Sequence, residues 1–242
     1  QIIMNGRIFV QGSATFNISN CIVLTNQSLG DQNPYDPALQ VSDIARTNII
    51  NTVFNTTVTP GGNHYTMLFS FGSSSINYIE NSTFDMVASG CNFEGSSTNT
   101  VKNSWFPRYV HLRNTAFMLF SNTTINGWNN EGNGAPQVAT VKGNFSFNNI
   151  NEWNSNDFIQ RFYPLIITGS SGSITVNITN KTNGALIWGP QSTSTGYIEP
   201  NITFGPTNYS TGNFILYVYN STRSNSTDIS FYNSTPMYML LR

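Results

Sequence analysis

Charge is what this sequence has least of: Lys, Arg, Asp and Glu make up 9% of its 242 residues, against about 25% in an ordinary soluble domain. The 10 Lys and Arg are scattered and the net charge is −1. No basic patch can neutralise a run of phosphates, so nucleic acid is not an expected partner. No apolar run approaches the ~18 residues that cross a bilayer, and the longest, Phe214-Ile215-Leu216-Tyr217-Val218-Tyr219, has the length of a strand. No membrane span is expected.

The groups that carry chemistry are equally scarce. The two histidines, His64 and His111, have no Cys, His or carboxylate at metal-ligand spacing, so neither a metal nor another cofactor is expected. Among the 11 carboxylates no two are adjacent and none forms Asp-x-Asp, the patterns that set two carboxyls together for acid and base work. Glu80 and Asp85 with Glu94 or Lys102 are the nearest to an acidic group, and a solvated face is the more ordinary explanation for them. No Gly-x-Ser-x-Gly elbow occurs. The expectation is a protein that is not an enzyme, with no catalytic residues.

Neutral polar side chains fill the space that charge leaves: 35 Asn, 27 Ser and 27 Thr. With 17 Phe, 11 Tyr and 4 Trp there is ample material for a core, so the composition is not that of a disordered chain. Thirteen Asn-x-Ser/Thr sequons occur, against about eight expected by chance at this composition. They fall at Asn17, Asn26, Asn55, Asn81, Asn122, Asn144, Asn177, Asn180, Asn201, Asn208, Asn220, Asn225 and Asn233. An exported, N-glycosylated protein of the extracellular space, a cell surface or a virion surface is the expectation, and a start at Gln1 fits a processed product.

One phrase recurs eight times before residue 150: an apolar residue, a spacer, Asn or Gly, a small residue, a spacer, then an aromatic or aliphatic. It reads Ile18-Ser19-Asn20-Cys21-Ile22-Val23, Ile49-Ile50-Asn51-Thr52-Val53-Phe54 and Ile79-Glu80-Asn81-Ser82-Thr83-Phe84. Further copies lie at 88–93 (with Gly90 in the Asn place), 101–106, 112–117, 120–125 and 142–147, where Val141 can replace Lys142 around Gly143. Asn and Gly take the left-handed conformation most readily. A bend there lets the apolar residues on both sides point inward, as at the corner of a coiled stack of short strands. Corner residues 81, 103, 122 and 144 give rungs of 22, 19 and 22 residues, and 90 to 114 gives 24 for a second corner. Longer early intervals call for loops at 30–46 and 60–75, where Asn33-Pro34 and Pro60-Gly61-Gly62 are turn signals and where a ligand could bind. The one helix candidate is 37–45.

These phrases resemble the repeats of the pectin-lyase-like β-helix superfamily over residues 1 to about 160. The resemblance implies an all-β fold: a right-handed parallel β-helix at 1–163 followed by a small antiparallel β-sandwich or cap at 164–242. It carries over no catalytic residue, because the family's acidic clusters have no counterpart here. In the second part, strand-sized segments lie at 165–168, 173–178, 185–188, 197–204, 213–219, 228–232 and 237–241.

Cys21 and Cys91 both take the small fourth place of the phrase, which turns their thiols inward. Three rungs at about 4.8 Å would part them by about 14 Å, beyond the ~7 Å reach of a disulfide. Both are expected free and buried, the competing reading being a disulfide that export would permit. Packing between rungs would also keep glycan off Asn81, Asn122 and Asn144. The sugar is then expected on Asn17, Asn26, Asn55, Asn177, Asn180, Asn201, Asn208, Asn220, Asn225 and Asn233.

Low charge with abundant Asn, Ser and Thr resembles the surface proteins of archaea from hot acidic water. The expected function is a structural subunit of an extracellular assembly, a filament, surface layer or virion surface. Its neighbours would join by strand pairing, with Gln1-Ile2-Ile3-Met4 or Tyr238-Met239-Leu240-Leu241 donated to a sheet edge. The alternative is an adhesin or spike module that grips surface glycans, for which 105–109 with His111 and Arg113 offers aromatic stacking. A polysaccharide lyase or hydrolase comes third.

Overall fold

The computed structural model describes residues 1–4, 7–25, 38–56, 69–85, 91–130, 137–153, 157–169, 172–205, 214–231 and 235–241. The chain is all-β, with no helix among the described residues. It divides into two compact units, 1–139 with 145–157 and 140–144 with 158–242.

In the first unit short strands stack in three rows of parallel pairs. Row one holds Thr15–Ser19, Arg46–Ile50, Ile76–Glu80, Thr98–Lys102 and the opening of Phe117–Asn130. Row two holds Ile2–Met4, Ile22–Thr25, Val53–Thr56, Thr83–Asp85 and the start of Trp105–Leu112. Row three holds Ile8–Val10, Leu39–Val41, Phe69–Phe71, Cys91–Phe93 and the end of Trp105–Leu112. The chain visits each row once per circuit, so the large parallel sheet is curled as in a β-helix.

Row one passes into row two at Asn20, Asn51, Asn81, Asn103 and Asn122, all left-handed with φ of 54°, 49°, 49°, 47° and 49°. The ladder continues through this corner, since Asn20, Asn51, Asn81 and Asn103 donate their backbone N–H to Ile50, Glu80, Lys102 and Ser121. A left-handed residue swings its own side chain out and turns the next one in. Thr52, Ser82, Ser104 and Thr123 are accordingly buried. Each returns its hydroxyl to the carbonyl two residues back, at 2.9, 2.8, 2.7 and 3.2 Å. Cys21 does the same with its thiol on Ser19, at 3.1 Å. The small fourth residue of the phrase is therefore a turn-closing donor, buried at each of these corners except Cys21, which is half-buried rather than buried as expected. The corner asparagines, by contrast, do not pack between rungs: Asn20, Asn51, Asn81, Asn103 and Asn122 are exposed, as is Asn144. The expected steric bar to glycan at Asn81, Asn122 and Asn144 is absent. Two pairs of neighbouring rungs share amide bonds along this outer ridge, Asn51 to Asn20 and Asn122 to Asn103, both 3.1 Å.

A second left-handed corner joins row three to row one at Gly12, Asp43, Ser73, Gly95 and Asn114. Asn114 stacks below Gly95, and Gly90 lies outside the described residues, so the 24-residue interval between 90 and 114 is not a rung. Cys91 pairs with Phe69 and Val110 in row three, away from the corner row that holds Cys21. Leu39–Val41 is a strand where a helix over 37–45 was the candidate, because Ala38, Leu39 and Val41 must alternate into the core before Asp43 turns the chain. The tracts 30–46 and 60–75 likewise contain strands and this corner. The remaining long connections, 26–37 and 57–68, lie outside the described residues and link row two to row three. At 141–147 the left-handed residue is Gly143, φ 93°, with Val141 buried, so Asn144 is not itself a corner.

Inside the coil the sixth place of the phrase builds an aromatic column. Phe84 stacks on Phe54 at 5.2 Å and on Phe106 at 4.9 Å, with Phe69 edge-on at 5.4 Å. Aromatic contacts of this kind add about 0.5–1.5 kcal/mol each beyond area burial. Row one also sends polar residues inward. The Thr47 hydroxyl donates to Asn77 Oδ1 at 2.7 Å, and Asn77 Nδ2 donates to Asn99 Oδ1 at 2.8 Å. Ser75 and Ser97 accept from the same two amides. Part of the asparagine excess is thus a satisfied internal spine, which costs little because its polar atoms are paired.

In the second unit a four-stranded antiparallel sheet runs Leu186–Thr193, Ile174–Asn180, Phe214–Tyr219, Ser224–Ile229. The doubly apolar Phe214–Tyr219 is an interior strand, with Phe214, Leu216 and Val218 buried. The edge strand is polar and lies at 224–229 rather than at 228–232. A smaller sheet sets Leu165–Thr168 between Tyr197–Ile198, antiparallel, and Met237–Leu240, parallel. Arg161 is 1% exposed, its guanidinium 5.3 Å from the Tyr163 ring and 5.4 Å from Phe231.

Near the surface of this unit Glu199 accepts from Tyr197 Oη at 2.5 Å and from Lys142 Nζ at 3.3 Å. The phenol hydrogen bond, with help from Lys142, holds the Glu199 carboxyl below the usual range, and the same bond pushes Tyr197 up to about 12. Because the folded value of Glu199 lies below the unfolded one, its contribution is present above the ordinary carboxylate range and fades as pH falls through the folded value. Tyr197→Phe should raise the Glu199 titration midpoint in carboxyl-detected NMR. An unmoved midpoint would show that the phenol does not hold the carboxylate.

Candidate functional site

Among the described residues the strands of the first rung are paired along one edge only. Ile2–Met4, Ile8–Val10 and Thr15–Ser19 each pair, among the described residues, only with the rung that follows. Their other edges have no strand partner among the described residues, and an unpaired strand edge is the usual template for adding a strand. These strands carry exposed apolar side chains: Ile3 is 65% exposed, Phe9 53% and Ile2 43%. Phe16 and Ile18 are half-buried, whereas the residues stacked on them, Thr47 and Ile49, are sealed. The mouth is a cavity of about 120 Å³ walled by Ile2, Met4, Ile8, Phe16, Ile18 and Val23 among others.

A second concavity, about 280 Å³ and polar, lies along the second corner between Gln40, Ser42, Ser70, Ser73, Glu94 and Asn114. Its carboxylate is fixed: Ser70 Oγ donates to Glu94 Oε1 at 3.0 Å. Gly72 makes room for it, since a Cβ at that position would stand 3.2 Å from Glu94 Cγ.

The structure separates most of the residues that the sequence grouped. Glu80 and Lys102 face each other in register on row one, with Tyr78 Oη donating to Glu80 at 2.8 Å and Lys102 Nζ 5.3 Å from the Tyr78 ring. Asp85 lies on row two and Glu94 beyond row three, so no carboxyl pair is brought together here. Among the described residues no three His, Cys, Asp or Glu gather. Trp105 stands on row two, 48% exposed, while His111 is on row three and buried, the register shifting between Phe106 and Tyr109. The aromatic and basic residues of 105–113 are therefore not one patch. Both cysteines are unpaired, Cys91 buried and Cys21 half-buried, and burial pushes the Cys91 thiol well up.

Among the sequons, Asn17, Asn81, Asn122, Asn144 and Asn225 are exposed, and Asn55, Asn177, Asn180, Asn201 and Asn220 are half-buried. Asn26, Asn208 and Asn233 lie outside the described residues. Asn177 sits in an interior strand with Oδ1 buried and without a hydrogen bond among the described residues. Asn225 spends its amide on Leu240 O at 2.7 Å. The signal that could have found the exposed corners was the left-handed turn itself, which the sequence already marked.

No family model, curated protein or solved structure matches this chain. What the geometry defines is a class: an all-β protein with a large curled parallel sheet and smaller sheets in a second unit. No helix among the described residues is long and apolar enough to cross a membrane.

Proposed function

We propose that the chain is a non-catalytic, N-glycosylated structural subunit of an extracellular assembly, joined to copies of itself by strand pairing at the first rung of the coil. The observation that carries this reading is the first rung, where three strand edges without a partner among the described residues surround an apolar mouth. Scarce charge and abundant Asn, Ser and Thr fit a filament, surface layer or virion surface. The likeness to pectin-lyase-like chains enters as one of architecture alone.

Ile18→Lys puts an ammonium into the mouth while leaving the sealed rungs untouched. In analytical ultracentrifugation the variant should lose at least about tenfold in association, since burying an unpaired charge costs several kcal/mol. Unchanged association with an intact far-UV spectrum would sink the reading.

A second reading, a module that binds surface glycans, is favoured by one observation: the polar pocket with its fixed Glu94. Glu94→Gln keeps the shape and removes the charge. Binding on a glycan array that Glu94→Gln abolishes would support it, and an array without a hit would eliminate it.

A further inference from the structure

We infer that Asn81 and Asn122, on the outer corner of the coil, carry N-linked saccharides whose first sugars pack against Trp105 between them. This rests on the exported reading proposed above and reverses the distribution of glycan expected from the sequence.

The corner conformation makes both sequons good acceptors. At Asn81-Ser82-Thr83 and Asn122-Thr123-Thr124 the left-handed Asn faces out, with φ 49° at each. The middle residue turns into the core, where Ser82 and Thr123 are 2% and 1% exposed. The third residue returns to the outer side, Thr124 being exposed and Thr83 half-exposed. The amide and the hydroxyl that define the sequon therefore share one open surface. Asn122 donates one N–H to Asn103 Oδ1 at 3.1 Å, and a primary amide has two. Replacing one hydrogen by a sugar leaves the other for that bond.

Register supplies the second, independent observation. Thr83 pairs with Trp105 and Trp105 pairs with Thr124, so the indole lies between the two sequon hydroxyls on one outward column. At 48% exposure it is a large aromatic left open. The rung that carries it has its own corner asparagine, but Asn103-Ser104-Trp105 is not a sequon because the Trp occupies the place of the Ser or Thr. Asn81 and Asn122 are thus two rungs apart, about 9.6 Å at the usual strand spacing, with an aromatic face between them. Aromatic rings with one apolar face and a polar edge suit such half-wet contacts.

The transfer needs a saccharide activated as its lipid-linked phosphate ester, together with a transferase. Asn Nδ2 attacks the anomeric carbon, the bond from that carbon to the phosphate oxygen breaks, and the carrier phosphate departs with the electron pair. A base of the transferase takes the amide proton.

Glycopeptide mass spectrometry on the native protein tests the acceptors, and a thermal cycle tests the indole. Saccharide is expected on both Asn81 and Asn122. Trp105→Ala should lower Tm by about 2–4 °C in the glycosylated chain, the shift that a ~1 kcal/mol contact gives at this size, and by less than half of that when Asn81→Gln and Asn122→Gln are also present. Saccharide at other sequons with both corners bare overturns this inference while leaving the exported reading standing. A native chain bare at every sequon overturns both. Equal Tm shifts in the two backgrounds overturn the role of Trp105.

Discussion

Phe84→Ala is expected to lower the unfolding free energy by about 4 kcal/mol, in the middle of the range for a buried Phe. The ring is 1% exposed and is held between Phe54 and Phe106, with Phe69 at its edge. Collapse cannot fill the space it leaves, because the strands above and below are fixed in register with Thr83–Asp85 by backbone hydrogen bonds. Phe84→Leu should cost less than about 2 kcal/mol, since most of the volume is kept. Phe9→Ala, at a ring 53% exposed, should stay within about 0.5 kcal/mol. Chemical denaturation of the three variants measures the series. Similar losses at Phe84 and Phe9 would mean that the column is not a core.

The second large effect separates two glycines with one backbone conformation. Gly12 and Gly95 both have φ +65° at the second corner. A Cβ on Gly12 meets nothing within 4 Å, whereas on Gly95 it would stand 2.7 Å from Ser73 O and 2.8 Å from Ser73 N. Either alanine pays about 1–2 kcal/mol for the left-handed conformation. Gly95→Ala must in addition push one rung off the next, because the atoms in the way are backbone. It should lose more than roughly 3 kcal/mol in all, or fail to accumulate folded. Thermal melts of the two variants decide the matter, and equal shifts would contradict the rung stacking at this corner.

The corner asparagines made half of the coil legible before any coordinates. Asn20, Asn51, Asn81, Asn103 and Asn122 recur because an L-residue that must be left-handed is most cheaply Asn or Gly. The other corner was hidden by chemistry: Gly12, Asp43, Ser73, Gly95 and Asn114 share a conformation but no side chain. Its trace was spacing, since each of these residues lies eight positions before a corner asparagine. Local phrase matching instead drew Asn114 and Gly90 into one row and Cys91 with them. The facing of the asparagines was missed for a related reason. Alternation along a strand predicts which residues point inward, but a left-handed residue breaks the alternation and sends its own side chain to solvent. Where an unbroken apolar run has the length of a strand, as at Phe214–Tyr219, the sequence located the strand within a residue. Where the strand is polar, as at Ser224–Ile229, it did not.

The candidate sites were less legible than the fold. The polar pocket draws Gln40, Ser70, Glu94 and Asn114 from four separate rungs, a grouping that depends on register and on no local motif. The mouth at the first rung was foreshadowed only by the apolar opening Ile2-Ile3-Met4, and which strand edges around it lack a described partner depends on register and on no local motif.

Negative-stain electron microscopy of the native material bears most directly on the central claim, that this chain is a building block joined through the first rung of its coil. A regular filament or lattice, dispersed by Ile18→Lys, is the predicted result. Detached single particles at every protein concentration would contradict it.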